Sequence, residues 1–297
     1  MLIEPAEINA LLKLVDDPDE SIHIHVRQKL ITYGLNAIPY IEKAWNLPST
    51  SEDLRIQLDH IQHQIQYSNI KELITNWSIT EDPDLLEGFI LISKYEYPDL
   101  SSEFIHKYLD KIKQDIWIEL NPNLTAFEQI KVFNKVFFEI YGFRGNSRNY
   151  HSPKNSFINT VLESKKGNPL SLSIVYMHIA QMLDFPLYGI NLPNHFVLGY
   201  VDVALSRLTG NSKSNVVFYI NPFSKGALLM NGDLERFLLE LKLPVKDEFL
   251  LPCDSKSIIT RLLNNLINSY KLEEGDFEEK ISELSTLKDI IEIDINK

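Results

Sequence analysis

The sequence predicts an α+β protein, mostly helical and built around a small antiparallel sheet. Three observations lead there. From Glu7 to about residue 115 the apolar residues recur at helical spacing, two short runs at 196–201 and 216–220 alternate as strands do, and a pair of amphipathic helices follows residue 251. The expected division is a helical N-terminal domain over 1–115, a core over 116–250 and a helical-hairpin tail over 251–297.

Ile8, Leu11, Leu12, Leu14 and Val15 mark the first helix, and Ile24, Val26, Leu30 and Ile31 the second, which Gly34 stops. Between them Asp17-Pro18-Asp19-Glu20 supplies a turn, a proline at the first helical position and acids in the first turn. This pair has the form of a HEAT-type repeat. A third helix covers 37–45, the capping box Ser49-Thr50-Ser51-Glu52 opens one to about residue 67, and Asp82-Pro83-Asp84 opens another at Leu85. His60 and His63 share a helix face, but a metal needs further ligands, so they are read as solvated polar residues and no metal site is expected.

A second helical stretch over 125–141 opens with the box Thr125-Ala126-Phe127-Glu128 and carries Ile130, Val132, Phe133, Val136, Phe137 and Phe138, enough apolar surface for burial on more than one side. Gly, Asn and Ser then make 142–150 a loop, with Arg144 and Arg148 on it as surface charge, before a helix over 156–163. Asn168 is a good N-cap and Pro169 a good first helical residue, since its missing N–H costs nothing there. Ser171 and Ser173 are the hydroxyls of that helix start. His195 follows a Pro-Asn turn and opens the strand over 196–201, which pairs across a polar loop at 206–215 with the strand over 216–220. That pairing carries His195 beside Asn221. Gly232-Asp233 caps a helix over 234–241, the tail reads as helices over 255–270 and 277–289, and the alternation at 290–295 suggests an edge strand.

Composition narrows the function. At 297 residues the chain can bury about three quarters of its unfolded surface. A single cysteine, Cys253, cannot form an internal disulfide and suits a reducing compartment. With 29 Lys and Arg against 41 Asp and Glu, the net charge of −12 repels nucleic acid and anionic membranes. The N-terminus lacks a signal peptide's basic start and cleavage site, and no apolar run reaches the length of a membrane helix, so a cytoplasmic address is expected.

The words NSFINTVLESKKGNPLSLSIVY from Asn155, NLPNHFVLGY from Asn191, YINPF from Tyr219 and RLLNNLINSYKLEEGDFEE from Arg261 resemble the SirB-type family of bacterial proteins. That resemblance implies a transglutaminase-like (papain-like) core followed by a tetratricopeptide-like tail. In such a core a nucleophile sits in the first turn of a helix, a strand histidine takes its proton, and a carboxylate or amide orients the imidazole. Carried over, the triad positions are Ser171, His195 and Asn221, with Asn168, Pro169, Asn194 and Phe196 lining the cleft. Two departures matter: the helix-start cysteine falls at or near Pro169, and the aspartate is replaced by Asn221. Asn221 is expected to accept from an imidazole N–H, as the papain-like amide does.

The expected function is a catalytically silent pseudoenzyme that binds a peptide or protein segment in the old substrate cleft, with a regulatory or adaptor role and no cofactor. One alternative is a weak amidase or acyltransferase using Ser171, His195 and Asn221. Another is a helical scaffold with an inert core.

Overall fold

Ile8, Leu12, Val26 and Leu30, placed by the periodicity on the inner faces of successive helices, are buried together. They lie in the first of two units into which the chain divides, residues 1–76 and 77–297. The computed structural model describes residues 4–202, 215–240, 242, 246 and 249–295. The first unit holds α1 (Pro5–Leu12), α2 (Glu20–Thr32), α3 (Ile38–Trp45) and α4 (Glu52–Ser78) as far as Asn76. Asp19 caps α2 by accepting from the Ser21 N–H at 2.9 Å, so Pro18 precedes the helix instead of opening it. Ser51, accepting from the Leu54 N–H at 3.2 Å, caps α4. That helix runs past the expected end at 67 because no glycine or proline interrupts it and Ile70 and Ile74 continue its buried stripe.

The second unit begins at Trp77, well before the domain boundary expected at 115. Its first helix is α5 (Leu85–Glu96). Capped by Asp84, it buries eight residues from Leu86 to Tyr95, more than one amphipathic face can offer, and it packs within the unit against later helices. α6 (Ser102–Glu119) follows. α7 (Ala126–Asn134) carries the expected capping box, with the Thr125 N–H donating to Glu128 Oε2 at 2.8 Å, and continues as a π-helical turn over Lys135–Ile140. Phe133, Phe137, Phe138 and Phe143 gather there around Tyr176 and one another.

The loop at 142–150 contains a two-residue strand, β1 (Arg144–Gly145), parallel to β2 (Lys166–Gly167), on either side of α8 (Ile158–Ser164). α9 (Pro169–Gln181) is apolar nearly all round and is the buried centre of the unit. The main sheet has the antiparallel order β3 (Leu187–Leu192), β4 (His195–Val201), β5 (Val216–Asn221), β6 (Ala227–Leu229). β4 and β5 pair as expected, Leu198 opposite Ile220 and Gly199 opposite Tyr219. The loop expected between them lies, except for Asn215, outside the described residues. β3 is an addition: it forms a hairpin with β4 through Pro193 and Asn194, whose φ of 57° makes the tight turn.

α10 (Asn231–Glu240) ends where expected apart from Leu241, which is outside the described residues. α11 (Ser255–Leu272) and α12 (Glu278–Ile295) form the tail hairpin. The edge strand expected at 290–295 is helix instead. Ile291 follows buried Leu284 and Leu287 at spacings of seven and four residues, and this helical burial overrides the local alternation. The hairpin docks on α5, where Glu96 accepts from Tyr270 at 3.0 Å and pairs with Lys280 at 2.7 Å, and Tyr95 donates to Glu283 at 2.7 Å.

Candidate functional site

β4 begins at His195 and β5 ends at Asn221, so their antiparallel register brings these two side chains together. His195 Nε2 and Asn221 Nδ2 are 3.1 Å apart. Asn221 Oδ1 already accepts from the Ser224 N–H at 3.2 Å, which turns the amide nitrogen toward the imidazole. Asn221 is therefore the donor, contrary to the expected role, because a local turn has claimed its oxygen first. The ring proton then sits on Nδ1, while the Nε2 lone pair is engaged. Burial, and after it the charge of Arg261, hold the His195 pKa below the usual histidine range, so the ring is neutral near pH 7. Phe237 covers it, with ring centroids 5.3 Å apart.

At the start of α9, Asn168 accepts from the Ser171 N–H at 2.9 Å while Ser171 Oγ accepts from the Asn168 N–H at 3.1 Å, a reciprocal capping box. Asn168 Nδ2 donates to Ser156 at 3.0 Å. Ser171 is fully buried, and so is Ser173, whose hydroxyl donates to the Pro169 carbonyl at 2.7 Å. Both hydroxyls serve the helix. The residues that α9 presents to the adjacent cleft are Asn168, Pro169 and Leu170.

That cleft has a volume of about 960 Å³ and also receives Asn194, His195 and Phe196 from the β3–β4 hairpin. Asn221 stands behind His195, off its lining. Tyr150 and His151 border the cleft because Asn155 ties down their loop, donating to the Asn149 carbonyl at 2.7 Å and the Tyr150 carbonyl at 3.0 Å. Arg144 and Arg148 are exposed and are not on its lining. Cys253 is not on the lining either; its thiol donates to the Gly189 carbonyl at 3.2 Å.

The longest wall comes from α11, which the sequence placed in a separate tail. Ser257, Thr260, Arg261, Asn264, Asn265 and Asn268 recur at helical spacing and line the cleft, while Ile258, Ile259, Leu262, Leu263 and Leu266 are buried on the other face. The signal was legible in RLLNNLIN, whose polar stripe holds neutral amides where a solvated helix face usually carries charges. Among the described residues the side-chain amides of Asn264, Asn265 and Asn268 make no hydrogen bond, so the wall offers both donors and acceptors to an occupant.

Comparison with known proteins finds bacterial and human relatives. A UPF0162 protein of Xylella fastidiosa is 29% identical over 197 residues, 63% of this chain and 64% of that protein. The SirB1 protein of Salmonella typhimurium is 27% identical, over 65% of this chain and 69% of its own length. Human F-box only protein 21 is 25% identical over 242 residues, 73% of this chain but 37% of that protein. The chain thus spans a little under two thirds of the Xylella protein's length. No solved structure matches the chain. Residues 103–264, from α6 to the Asn-rich face of α11, match the Transglutaminase-like superfamily, and since this is more than half of its length the chain belongs to that superfamily.

Proposed function

We propose that the protein is a catalytically silent transglutaminase-fold protein that binds a peptide or protein segment in the cleft beside His195, in an adaptor or regulatory role. The observation that carries this reading is the α9 start, where Pro169 faces the cleft and Ser171 is fully buried in the capping box. A hydroxyl there has no path to a substrate carbonyl without unwinding the first turn. His195 supports the same reading. A general base needs a free lone pair directed at the nucleophile, and its unprotonated nitrogen is engaged by Asn221. The neutral amides of α11 suit the N–H and C=O groups of a bound chain. The charge of −12 argues against nucleic acid and anionic membranes as partners and, with single-cysteine usage, favours a cytoplasmic setting.

The test is turnover measured beside binding. Activated esters and peptide anilides should be hydrolysed no faster with the protein than in buffer, whereas a working general base alone would add about 10² to 10⁴ in rate. Short acetylated peptides should shift NMR resonances of α11 and the β3–β4 hairpin. Hydrolysis that vanishes in both Ser171→Ala and His195→Ala would replace this reading with a weak amidase.

A further inference from the structure

Arg261 has an unusual setting for an acidic protein. It reaches from α11 across to the β3–β4 hairpin, where Nη1 donates to Asn191 Oδ1 and to the Leu192 carbonyl, the latter at 2.7 Å. The guanidinium lies over the Phe196 ring, 5.6 Å from its centroid. These contacts are with neutral groups. Among the described residues no carboxylate lies within ion-pair distance of Arg261, and its Nε and Nη2 make no hydrogen bond. Burial depresses its pKa, the direction expected of a cation that no fixed anion compensates.

The surroundings make the same point. α11 carries Lys256, Arg261 and Lys271 and no acid over its 18 residues, in a chain whose net charge is −12. The acid on the cleft lining, Glu292, belongs to α12 and pairs with Lys288 at 3.9 Å. A guanidinium drawn partly out of water, aligned by one nitrogen and left with donors to spare, is a prepared fork for a planar anion. Its neighbours on the wall are amides suited to a peptide backbone, not the further cations that a polyanion would require.

We propose that Arg261 is the carboxylate-recognition point of the cleft, taking either the C-terminal carboxylate of a bound segment or an Asp or Glu side chain within it. This deepens the peptide-binding reading above and rests on it. Phe196 and the two Nη1 acceptors hold the fork in place, and the amides of Asn264 and Asn265 on the next turn of α11 align the chain that bears the carboxylate.

Three acetylated tripeptides and acetate test the assignment on the full chain, read by the Arg261 Nε–H resonance and by binding titration. The peptides are trialanine as free acid, trialanine as carboxamide, and Ala-Glu-Ala as carboxamide. At least one carboxylate-bearing peptide should move the Arg261 resonance and bind about tenfold tighter than neutral trialanine carboxamide, the scale of one charge-assisted hydrogen bond. Which of the two does so identifies the source of the carboxylate. Arg261→Gln should erase the preference and Arg261→Lys should keep only part of it, with unfolding curves confirming that each variant folds. If Arg261→Gln does not fold, the comparison of the two carboxylate-bearing peptides with trialanine carboxamide on the wild type still decides. Binding of both carboxylate-bearing peptides no tighter than that of trialanine carboxamide overturns the carboxylate assignment and leaves the peptide reading standing. Acetate acting as well as either acid peptide keeps the carboxylate site and overturns the peptide reading. An Arg261 resonance that nothing moves overturns the assignment.

Discussion

His195 and Ser171 hold corresponding places in the expected triad, yet their surroundings give them different work. His195 Nε2 completes a bond from Asn221, and its ring packs on Phe237. His195→Ala leaves the Asn221 N–H without its acceptor and opens space beside Phe237, so denaturant unfolding should show a loss of about 1 to 3 kcal/mol. Ser171→Ala removes the acceptor of the buried Asn168 N–H and half of a capping box, which should cost about 1 kcal/mol. Both losses are expected with no change in ester or amide turnover. A Ser171→Ala protein as stable as wild type would contradict the capping role.

At the scale of elements, the contact that shapes the cleft is the docking of α11 and α12 on α5. Gly88 permits it: a Cβ there would lie 2.9 Å from Ile259 and 2.7 Å from Trp77, closer than side chains pack. Gly88→Ala should therefore push α11 away and cost about 1 to 3 kcal/mol, although alanine is the better helix former. Glu96 is the polar counterpart, joining Tyr270 and Lys280. Glu96→Gln keeps the shape and removes the charge, and should cost about 1 to 2 kcal/mol in the same assay. Because α11 is also the cleft wall, both variants should weaken peptide binding along with stability. Unchanged binding in a destabilised Gly88→Ala protein would separate the wall from the docking.

Over the whole molecule, the lowered pKa values of His195 and His178, among the described residues, should make folding depend on pH. The pKa of His195 is lowered by burial and by Arg261. That of His178 is lowered by burial against the opposing pull of Asp84 and Asp110, with His106 adding to the lowering. Below about pH 6.5, the ordinary histidine value, the unfolded chain takes up protons at these positions that the folded chain refuses. Bound protons then favour the unfolded state. Stability from these groups is complete above about pH 6.5, falls as the pH drops below it, and levels off once the folded pKa values are passed. Urea titrations between about pH 5 and 7 should show this slope, and His195→Gln should flatten it in part, leaving the share of His178. A slope that His195→Gln leaves unaltered would mean that His195 titrates normally.

What the sequence determined by itself is local in its physics. The caps at Asp84, Thr125 and Asn168, the proline opening α9, and the alternation that pairs β4 with β5 beside Asn221 each depend on residues a few positions apart. The tertiary structure decided what such spans cannot hold. It formed β3, whose Gly189 breaks the strand pattern because a Cβ there would lie 2.6 Å from the Phe196 ring. It gave α5 and α6 to the second unit, since a helix shows how much of it is buried but not by what. It reversed the Asn221 bond through the Ser224 N–H and kept 290–295 helical through the burial of Ile291. It also turned the polar face of α11 from a tail surface into a cleft wall. The stripe itself was written in the sequence, but what stands opposite a stripe depends on contacts between residues far apart along the chain, as Arg261 with Asn191 shows.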